Sequence, residues 1–444
     1  MSKQRPVKGP IPELRPAMAD HEALAEASRC LYCYDAPCSR ACPTHVDVAE
    51  FIRKIRTGNL RGSAVRLLDA NPLAASCARV CPTEELCEKA CVLPDMGLPH
   101  IAIGRLQRYV MDRAMASDRP PVPRARPSRG KVAVVGAGPA GLGCATVLAR
   151  YGHAVTVFDA RPDAGGLATY AIADHKVRAN FPPREARWLS TLGFTLKQGV
   201  RVGRDITFAE LEGGFDYIFL GMGLEHSVRL EVPGEELDGV VDALDLIAAH
   251  RRGDALPVPL ANRDVLVVGG GNTATDAALL ALEAGARSST IVYRRTEKEM
   301  PAYPAERSLV RHRGVEIRFL LSPVEVVGPD RVTGLRVQPM RLGEPDASGR
   351  RRPVPLEVDA ELLPCDVVVR AIGQRLLEEP HMKIPGVKVH RGKILVDPAT
   401  GRTDNPRYYA GGDCVNGGRE VVHAVAEGKR AAEAIHRQLQ EEEG

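Results

Sequence analysis

Eight of the eleven cysteines of this 444-residue chain lie in one stretch near its start. They form two runs, Cys30-x2-Cys33-x4-Cys38-x3-Cys42-Pro43 and Cys77-x3-Cys81-Pro82-x4-Cys87-x3-Cys91. A 4Fe–4S cluster takes four cysteine thiolates, and short spacings let one loop wrap around one cluster. The stretch therefore predicts iron–sulfur chemistry, and its eight thiols favour two clusters over one.

Three other kinds of cysteine group compete with this interpretation. A disulfide framework requires an oxidising compartment, and the polar, proline-rich start of the chain shows no secretory segment. Structural zinc favours paired C-x2-C knuckles, whereas the second run has x3 and x5 spacings. Buried inert thiols rarely come eight together. We favour clusters; because the last cysteine of a run often binds the other cluster, the runs alone do not assign the ligands.

A dinucleotide-binding pattern starts at Lys131. An apolar strand at 132–135 leads into Gly136-x-Gly138-x-x-Gly141 and a helix, and a second strand at 154–158 ends at Asp159. The glycines let a pyrophosphate approach the helix N-terminus, and the acid bonds a ribose hydroxyl, which indicates FAD. The glycine pair Gly165-Gly166 either approaches a bound ring or is an ordinary loop. The candidate contacts are Gly136, Gly138, Pro139, Ala140, Gly141, Asp159, Gly166 and Leu167.

A second pattern of the same kind starts at Asp264. Its second strand ends at Arg294 and Arg295, where the first pattern has an acid. Arginine pairs with a 2′-phosphate that an acid would repel, so this site favours NADP(H), with NAD(H) possible. The alternative is that the two arginines are surface charge. The candidate contacts are Gly269, Gly271, Asn272, Thr273, Ala274, Arg294 and Arg295.

Two later glycine elements complete the nucleotide sites. Gly373 follows a strand at 366–370, and Gly412-Asp413 follow a strand at 408–410. Asp413 is placed to accept hydrogen bonds from a flavin side chain or, alternatively, to cap a helix. Because this last element needs the flavin of the first pattern, we expect the second nucleotide domain to be inserted in the first.

The elements that must position these residues follow from length and periodicity. We predict an α/β protein with an all-α N-terminal domain: a helical two-cluster iron–sulfur domain at 1–125, an FAD-binding domain at 126–235 and 372–444, and an NAD(P)-binding domain at 236–371. Asp20 is expected to cap the first helix. The spacing of Val48, Phe51, Ile52 and Ile55 predicts a buried helix face.

Composition excludes several partners. Lys+Arg number 60 against 56 Asp+Glu, and aromatics are only 4%, which disfavours nucleic acid. The uncharged run 132–149 contains the first glycine motif, so we interpret it as strand, turn and helix rather than a membrane span. We expect a cytoplasmic protein. The basic, proline-rich segment 119–129 is interpreted as a solvated linker rather than a partner-binding strip.

These motifs together resemble the FAD- and iron–sulfur-containing subunits of glutamate synthase (small subunit) and of dihydropyrimidine dehydrogenase. The resemblance covers nearly the whole chain, from Cys30 to the helix after Asp413. Two details are similar to the dihydropyrimidine dehydrogenase type: the longer spacing from Cys81 to Cys87, and Gln107, where the glutamate synthase type carries Glu. Gln107 on its own would be interpreted as a surface residue.

The resemblance implies the ligand sets. One cluster would take Cys30, Cys33, Cys38 and Cys91; the other would take Cys42, Cys81, Cys87 and Gln107, with Cys77 as a neighbouring non-ligand. The family's Gly-Ile-Pro after the glycine pair is Ala-Ile-Ala at 171–173, so its flavin contacts are not carried over. The bacterial dihydropyrimidine dehydrogenase type is generally NADH-linked, whereas Arg294 and Arg295 favour NADPH.

The chemistry implied is electron transfer from NAD(P)H through FAD and the clusters to a partner, and it requires no catalytic acid or base on this chain. The expected partner is an FMN-containing catalytic subunit that reduces uracil or thymine, in a hetero-oligomer. The alternatives are the small subunit of glutamate synthase, bound to its large subunit, and a related NAD(P)H:ferredoxin or sulfide-type oxidoreductase. A non-enzymatic carrier or iron-sensing scaffold is disfavoured by two intact nucleotide patterns.

Overall fold

The computed structural model describes residues 11–128, 130–224, 226–346, 349–375 and 384–443. The start of the chain and Arg129 of the expected linker therefore lie outside the described residues. The helices are α1 (Asp20–Ser28), α2 (Pro37–Ala41), α3 (Val48–Arg56), α4 (Leu60–Ala70), α5 (Ala74–Val80), α6 (Ile103–Ala114), α7 (Pro139–Arg150), α8 (Leu167–Tyr170), α9 (Phe181–Ser190), α10 (Phe208–Gly214), α11 (Ala243–Arg252), α12 (Asn272–Glu283), α13 (Pro304–His312), α14 (Asp413–Asn416) and α15 (Val421–Glu443).

The strands fall into parallel and antiparallel sheets. They are β1 (Lys131–Val135), β2 (Ala154–Asp159), β3 (Phe194–Gln198), β4 (Tyr217–Leu220), β5 (His226–Ser227), β6 (Val240–Asp242), β7 (Asp264–Gly269), β8 (Ser288–Tyr293), β9 (Glu316–Phe319), β10 (Leu321–Val327), β11 (Gly334–Pro345), β12 (Arg351–Pro355), β13 (Glu361–Pro364), β14 (Val367–Ala371), β15 (Gln374–Arg375), β16 (Val389–His390), β17 (Lys393–Ile394) and β18 (Tyr408–Ala410).

The chain divides into two compact units. The larger unit comprises Glu13–Thr169, Asp174–His226 and Arg375–Gly444, and its parallel sheet has the order β18-β4-β1-β2-β3. Helix α15 packs along α7, where Gly428 and Gly143 allow close approach: a Cβ at Gly428 would lie 2.0 Å from the Ala140 carbonyl oxygen. Glycine at this position lets the C-terminal helix lie against the helix that follows the first glycine motif.

The smaller unit is built mainly from Ser227–Gln374. Its parallel sheet has the order β6-β14-β7-β8-β9, and an antiparallel sheet of β10, β11, β12 and β13 packs beside it. Apolar side chains of α11 and α12 bury one face of the parallel sheet. The chain leaves the larger unit's sheet after β4 and returns to it with β18, so the second nucleotide-binding fold is inserted in the first, as predicted.

The N-terminal part of the larger unit is helical, as predicted. Val48, Phe51, Ile52 and Ile55 are buried along one face of α3, which Asp47 caps by accepting from the Glu50 N–H. The expected cap at Asp20 is wrong by one residue. Helix α1 begins at Asp20 itself, and its N-cap is Ala19, whose N–H donates to the Glu22 carboxylate instead.

The uncharged run forms β1, the glycine turn and α7, as interpreted from its pattern. Among the described helices, none combines the length and the apolar character that a membrane crossing needs.

Candidate functional site

The first four candidate ligands meet at one cavity of the larger unit. Cys30, Cys33 and Cys38 come from the loop before and the start of α2, and Cys91 comes from the segment after α5. All other residues lining the cavity are apolar, which suits four thiolates around a low-polarity cluster. Burial, and then the charges of neighbouring cysteines, raises the pKa of the Cys38 thiol to about 11, so metal binding would displace protons there.

The second group of thiols lies at the C-terminal end of α5. Cys42, Cys77 and Cys81 pack together with Val422 of α15. A hydrogen bond with the Cys77 thiol, followed by burial, raises the pKa of Cys81. Burial raises the pKa of Cys87, and the charges of Cys42 and Cys81 add to that shift. The structure thus brings the predicted thiols of the second cluster together, with Cys77 among them.

Gln107 is a buried residue and not the exposed one that its polarity alone suggests. It lies on α6 with 8% exposure, and its Nε2 donates to the Ala74 carbonyl oxygen at 2.7 Å. Because that bond occupies the nitrogen, the amide oxygen is the atom left to bind a metal. Ala74 is the first residue of α5, the helix whose C-cap is Cys81. The thiols of this group fit a cluster, and Gln107 is bonded to the other end of the same helix; Gln107 as a ligand stays a prediction.

The first glycine motif requires glycine at two positions. Gly136 has φ +102°, and a Cβ there would lie 2.4 Å from the Gly221 carbonyl oxygen. A Cβ at Gly141 would lie 1.9 Å from the Gly136 carbonyl oxygen. Gly138 is the N-cap of α7, and Pro139 is its first residue. The first N–H groups of a helix have no partner within the helix and can therefore donate to a bound anion. This cradle fits a pyrophosphate.

Two carboxylates flank this cradle. Asp159, at the end of β2, accepts from the Ala137 N–H at 2.6 Å and the Arg161 N–H at 2.8 Å, which ties it to the glycine loop. Asp413 begins α14, and burial raises its pKa to about 6. Gly412 has φ +81°, and a Cβ there would lie 2.9 Å from the Ala140 Cβ. The Gly-Gly-Asp element is therefore packed directly on the start of α7.

The two remaining glycines that were predicted to contact a cofactor, Gly166 and Gly373, lie in different units. Gly166 has φ +56° and lies against Gly138, so the glycine pair approaches the first motif. Leu167 starts α8. Gly373, a predicted cofactor contact in the 372–444 part of the expected FAD-binding domain, belongs to the smaller unit, where its carbonyl accepts from the Val228 N–H.

The second glycine motif lies at the carboxyl edge of the smaller unit's parallel sheet. Gly269 has φ +149°, and a Cβ there would lie 2.2 Å from the Ala371 carbonyl oxygen. Gly271 is the N-cap of α12, which begins at Asn272 and continues through Thr273 and Ala274. The Asn272 Oδ1 accepts from the Tyr303 N–H at 3.1 Å. The loop and helix start have the arrangement that binds a pyrophosphate.

The two arginines after β8 have different surroundings. Arg295 is buried, donates to the Arg351 carbonyl oxygen at 2.8 Å and pairs with Asp346 at 2.9 Å. Arg294 is exposed and makes no hydrogen bond or salt bridge with any residue in the described ranges. Arg294 is thus the arginine left to pair with an anion, whereas Arg295 is engaged by Asp346 and Arg351.

Three carboxylates near these sites were not found from the sequence. Asp346 engages Arg295, Glu427 accepts from the Gly412 N–H at 2.6 Å, and Glu185 accepts from the start of α5. In the sequence, Asp346 precedes Gly349 and three arginines, which is a weak signal. Glu185 has no sequence signal, because a glutamate on an amphipathic helix is usually an ordinary surface residue.

Comparison with known proteins agrees with this geometry. Residues 8–119 match the family described as dihydropyrimidine dehydrogenase domain II, 4Fe-4S cluster. Residues 130–428, more than half the chain, match the family described as pyridine nucleotide-disulphide oxidoreductase. Among solved structures, FprA of Mycobacterium tuberculosis in complex with NADPH has a TM-score of 0.61 at 21% identity, covering 72% of this chain and 86% of FprA, which shows a shared fold.

Two relatives match over nearly their full length. The glutamate synthase [NADPH] small chain of Halomonas elongata is 38% identical over 426 residues, covering 93% of this chain and 90% of the relative. The NAD-dependent dihydropyrimidine dehydrogenase subunit PreT of Salmonella typhimurium is 33% identical over 437 residues, covering 98% and 99%. The chain therefore belongs to the pyridine nucleotide-disulphide oxidoreductase family with an N-terminal 4Fe–4S domain, and it is an NAD(P)H-dependent flavin iron–sulfur oxidoreductase subunit of the kind shared by glutamate synthase and dihydropyrimidine dehydrogenase.

Proposed function

We propose that this chain is the electron-input subunit of a pyrimidine reductase: it oxidises NADPH and delivers electrons to an FMN-containing partner that reduces uracil or thymine. A flavin takes hydride as an electron pair and releases single electrons, each of which a 4Fe–4S cluster can carry. Per turnover, two electrons and two protons are added to the pyrimidine double bond. The chain's own residues bind and orient the cofactors, and none has to act as a catalytic acid or base.

The observation that carries the proposal is the burial of Gln107 against α5. A neutral amide donates less charge to iron than a thiolate does, so a cluster with this ligand would differ in potential from its all-cysteine neighbour. Gln107 at this position, together with the Cys81–Cys87 spacing, is the feature that the resemblance associates with dihydropyrimidine dehydrogenase. The relative named as PreT supports the same partner.

A glutamate synthase small chain is the second candidate, and Arg294 favours it. The relative whose name specifies NADPH is 38% identical, against 33% for the relative named as NAD-dependent. An exposed arginine after β8, unpaired among the residues that the structure describes, is the kind of group that recognises a 2′-phosphate. In that case the electrons would reach a large subunit that forms glutamate.

Reconstitution with a partner tests the proposal. The chain is purified anaerobically with each candidate FMN protein of its source, and NADPH oxidation is followed on adding uracil, thymine, or 2-oxoglutarate with glutamine. We expect pyrimidine-dependent oxidation that stops when the partner is omitted, while the chain alone still reduces ferricyanide. Glutamate formation without pyrimidine turnover would replace the first candidate by the second. Ferricyanide reduction with no turnover of any of these substrates would refute both partners.

A further inference from the structure

Glu185 is a fully buried carboxylate that neither the glycine motifs nor the cysteine runs explain. It lies on α9 with 0% exposure. One oxygen accepts from the Ala75 N–H at 3.0 Å, and the other accepts from the Ser76 N–H at 3.0 Å and from the Ser76 hydroxyl. A buried carboxylate is disfavoured unless its oxygens are bonded. These three donors satisfy it, and in doing so they attach α9 to the start of α5.

Helix α5 positions the second group of candidate ligands. Cys81 is its C-cap, and the Cys77 thiol in the middle of the helix forms a hydrogen bond with the Cys81 thiol. At its first residue, Ala74, it accepts the Gln107 amide. A helix of seven residues does not hold its position by itself, so contacts with its neighbours determine where these ligands lie.

A second contact from α9 holds the same helix. The Arg79 guanidinium of α5 lies 3.6 Å from the centroid of the Phe181 ring, the first side chain of α9. Arg79 also donates to the Ala75 carbonyl oxygen at 3.0 Å and pairs with Asp112 of α6. Because both Arg79 and Phe181 are buried, their cation–π contact is shielded from water. Helix α9 therefore contacts α5 both at its start and near its end.

Helix α9 also packs against the glycine pair Gly165-Gly166, which in turn lies against the first glycine motif. A Cβ at Gly165 would lie 2.8 Å from the Pro182 Cβ of α9, and a Cβ at Gly166 would lie 2.8 Å from the Gly138 Cα. The space between the glycine pair, the motif and α9 admits no further side-chain atoms. A continuous series of packed contacts thus runs from Gly138 through the glycine pair to α9, and through Glu185 to α5.

We infer that Glu185 is a positioning residue that fixes the Gln107-containing cluster site relative to the flavin cradle. The inference rests on the ligand sets and cofactors of the proposed function. Displacing α5 would move Cys81 and release the orientation of Gln107, two of the four ligands of that site. The ligands of the first cluster take no part in these contacts, so that cluster should not depend on Glu185. These ligands are Cys30, Cys33, Cys38 and Cys91.

Replacing Glu185→Ala tests this directly on the purified full chain. We expect about half of the wild-type iron, retention of FAD, and loss of one of the two cluster signals in electron paramagnetic resonance of the reduced protein. The matched control is Glu235→Ala. Like Glu185, Glu235 is buried and accepts hydrogen bonds from two backbone N–H groups, those of Leu230 and Glu231. It lies in the smaller unit, which contains none of the candidate cluster ligands. This control should keep all of its iron.

A milder variant covers the case in which Glu185→Ala does not fold. Ser76→Ala removes one donor and keeps both backbone bonds, and we expect full iron with a shifted midpoint potential of one cluster only. Full iron and wild-type potentials in Glu185→Ala, or unshifted potentials in Ser76→Ala, would overturn the inference, as would equal iron loss in the Glu235→Ala control. These measurements use no partner, so a wrong partner leaves them intact, whereas an iron-free wild type would refute the proposed cofactors themselves.

Discussion

Replacing Arg294 with alanine is the sharpest test of the nucleotide site. Arg294 is exposed after β8 and unpaired within the described part of the chain, whereas the adjacent Arg295 is engaged with Asp346. If Arg294 binds the 2′-phosphate of NADPH, the variant loses that bond and leaves the second glycine motif and the start of α12 unchanged. NADH lacks this phosphate, so its turnover should not respond.

The expected magnitude follows from the kind of bond. A hydrogen bond to a charged group contributes about 1.5–3 kcal/mol, and each 1.4 kcal/mol corresponds to about tenfold, which gives roughly 10- to 100-fold in kcat/KM. Solvent screening at an exposed arginine favours the lower end of this range. We therefore expect kcat/KM for NADPH to fall about 10- to 30-fold, with the value for NADH changed less than about twofold.

The assay is ferricyanide reduction by the chain alone, with each coenzyme varied. Arg318→Ala is the matched control, because Arg318 is a surface arginine of the same unit that pairs with Glu361 at 2.9 Å. It should leave both coenzymes unchanged. Arg295→Ala breaks a buried ion pair and should lower the stability of the smaller unit by about 3 kcal/mol or more. Equal losses for NADPH and NADH in Arg294→Ala, or none for either, would refute the 2′-phosphate assignment.

Three further outcomes are expected. Gly141→Ala should yield protein without FAD, because its Cβ would lie 1.9 Å from the Gly136 carbonyl oxygen; normal flavin absorbance would contradict this. Gln107→Ala should remove or alter one cluster while Cys77→Ser spares both, and an iron content that falls equally in both variants would refute the ligand set. Burial raises the pKa of Glu185 from 4.5 to about 7. Between pH 4.5 and 7 the folded state therefore binds one proton more than the unfolded state. The free energy of unfolding should fall by about 3 kcal/mol as the pH rises through this range, which is 2.5 pH units at about 1.4 kcal/mol each. Thermal unfolding of Glu185→Gln should lack this pH dependence.

The sequence predicted the nucleotide-binding folds because their signals are local. A strand, a glycine turn and a helix follow one another within a few residues, and Gly141 is required by a backbone atom close in the chain, the Gly136 carbonyl oxygen. The inserted arrangement was also predictable, since Asp413 must return to the sheet of the first motif. The cap at Asp20 was misplaced by one residue because Glu22 supplies the bond from within the first turn.

The site was less accessible to sequence reasoning. Cys30 and Cys91 are 61 positions apart, and only the fold brings them to one cavity. Gln107 and an ordinary surface glutamine share the same helical pattern, and burial against Ala74 distinguishes them. Glu185 carries no sequence signal at all, because its three donors come from residues about 110 positions earlier.

The sequence by itself determined which chemistry this protein performs, because the residue types and short spacings of the thiols and glycines specify the cofactors. The tertiary structure alone decided which of two adjacent arginines is left for an anion and which carboxylate is bonded to the start of α5. The physical reason is that charge pairing and burial depend on partners distant in the chain. Asp346 forms an ion pair with Arg295 and not with Arg294, and Glu185 is buried against α5.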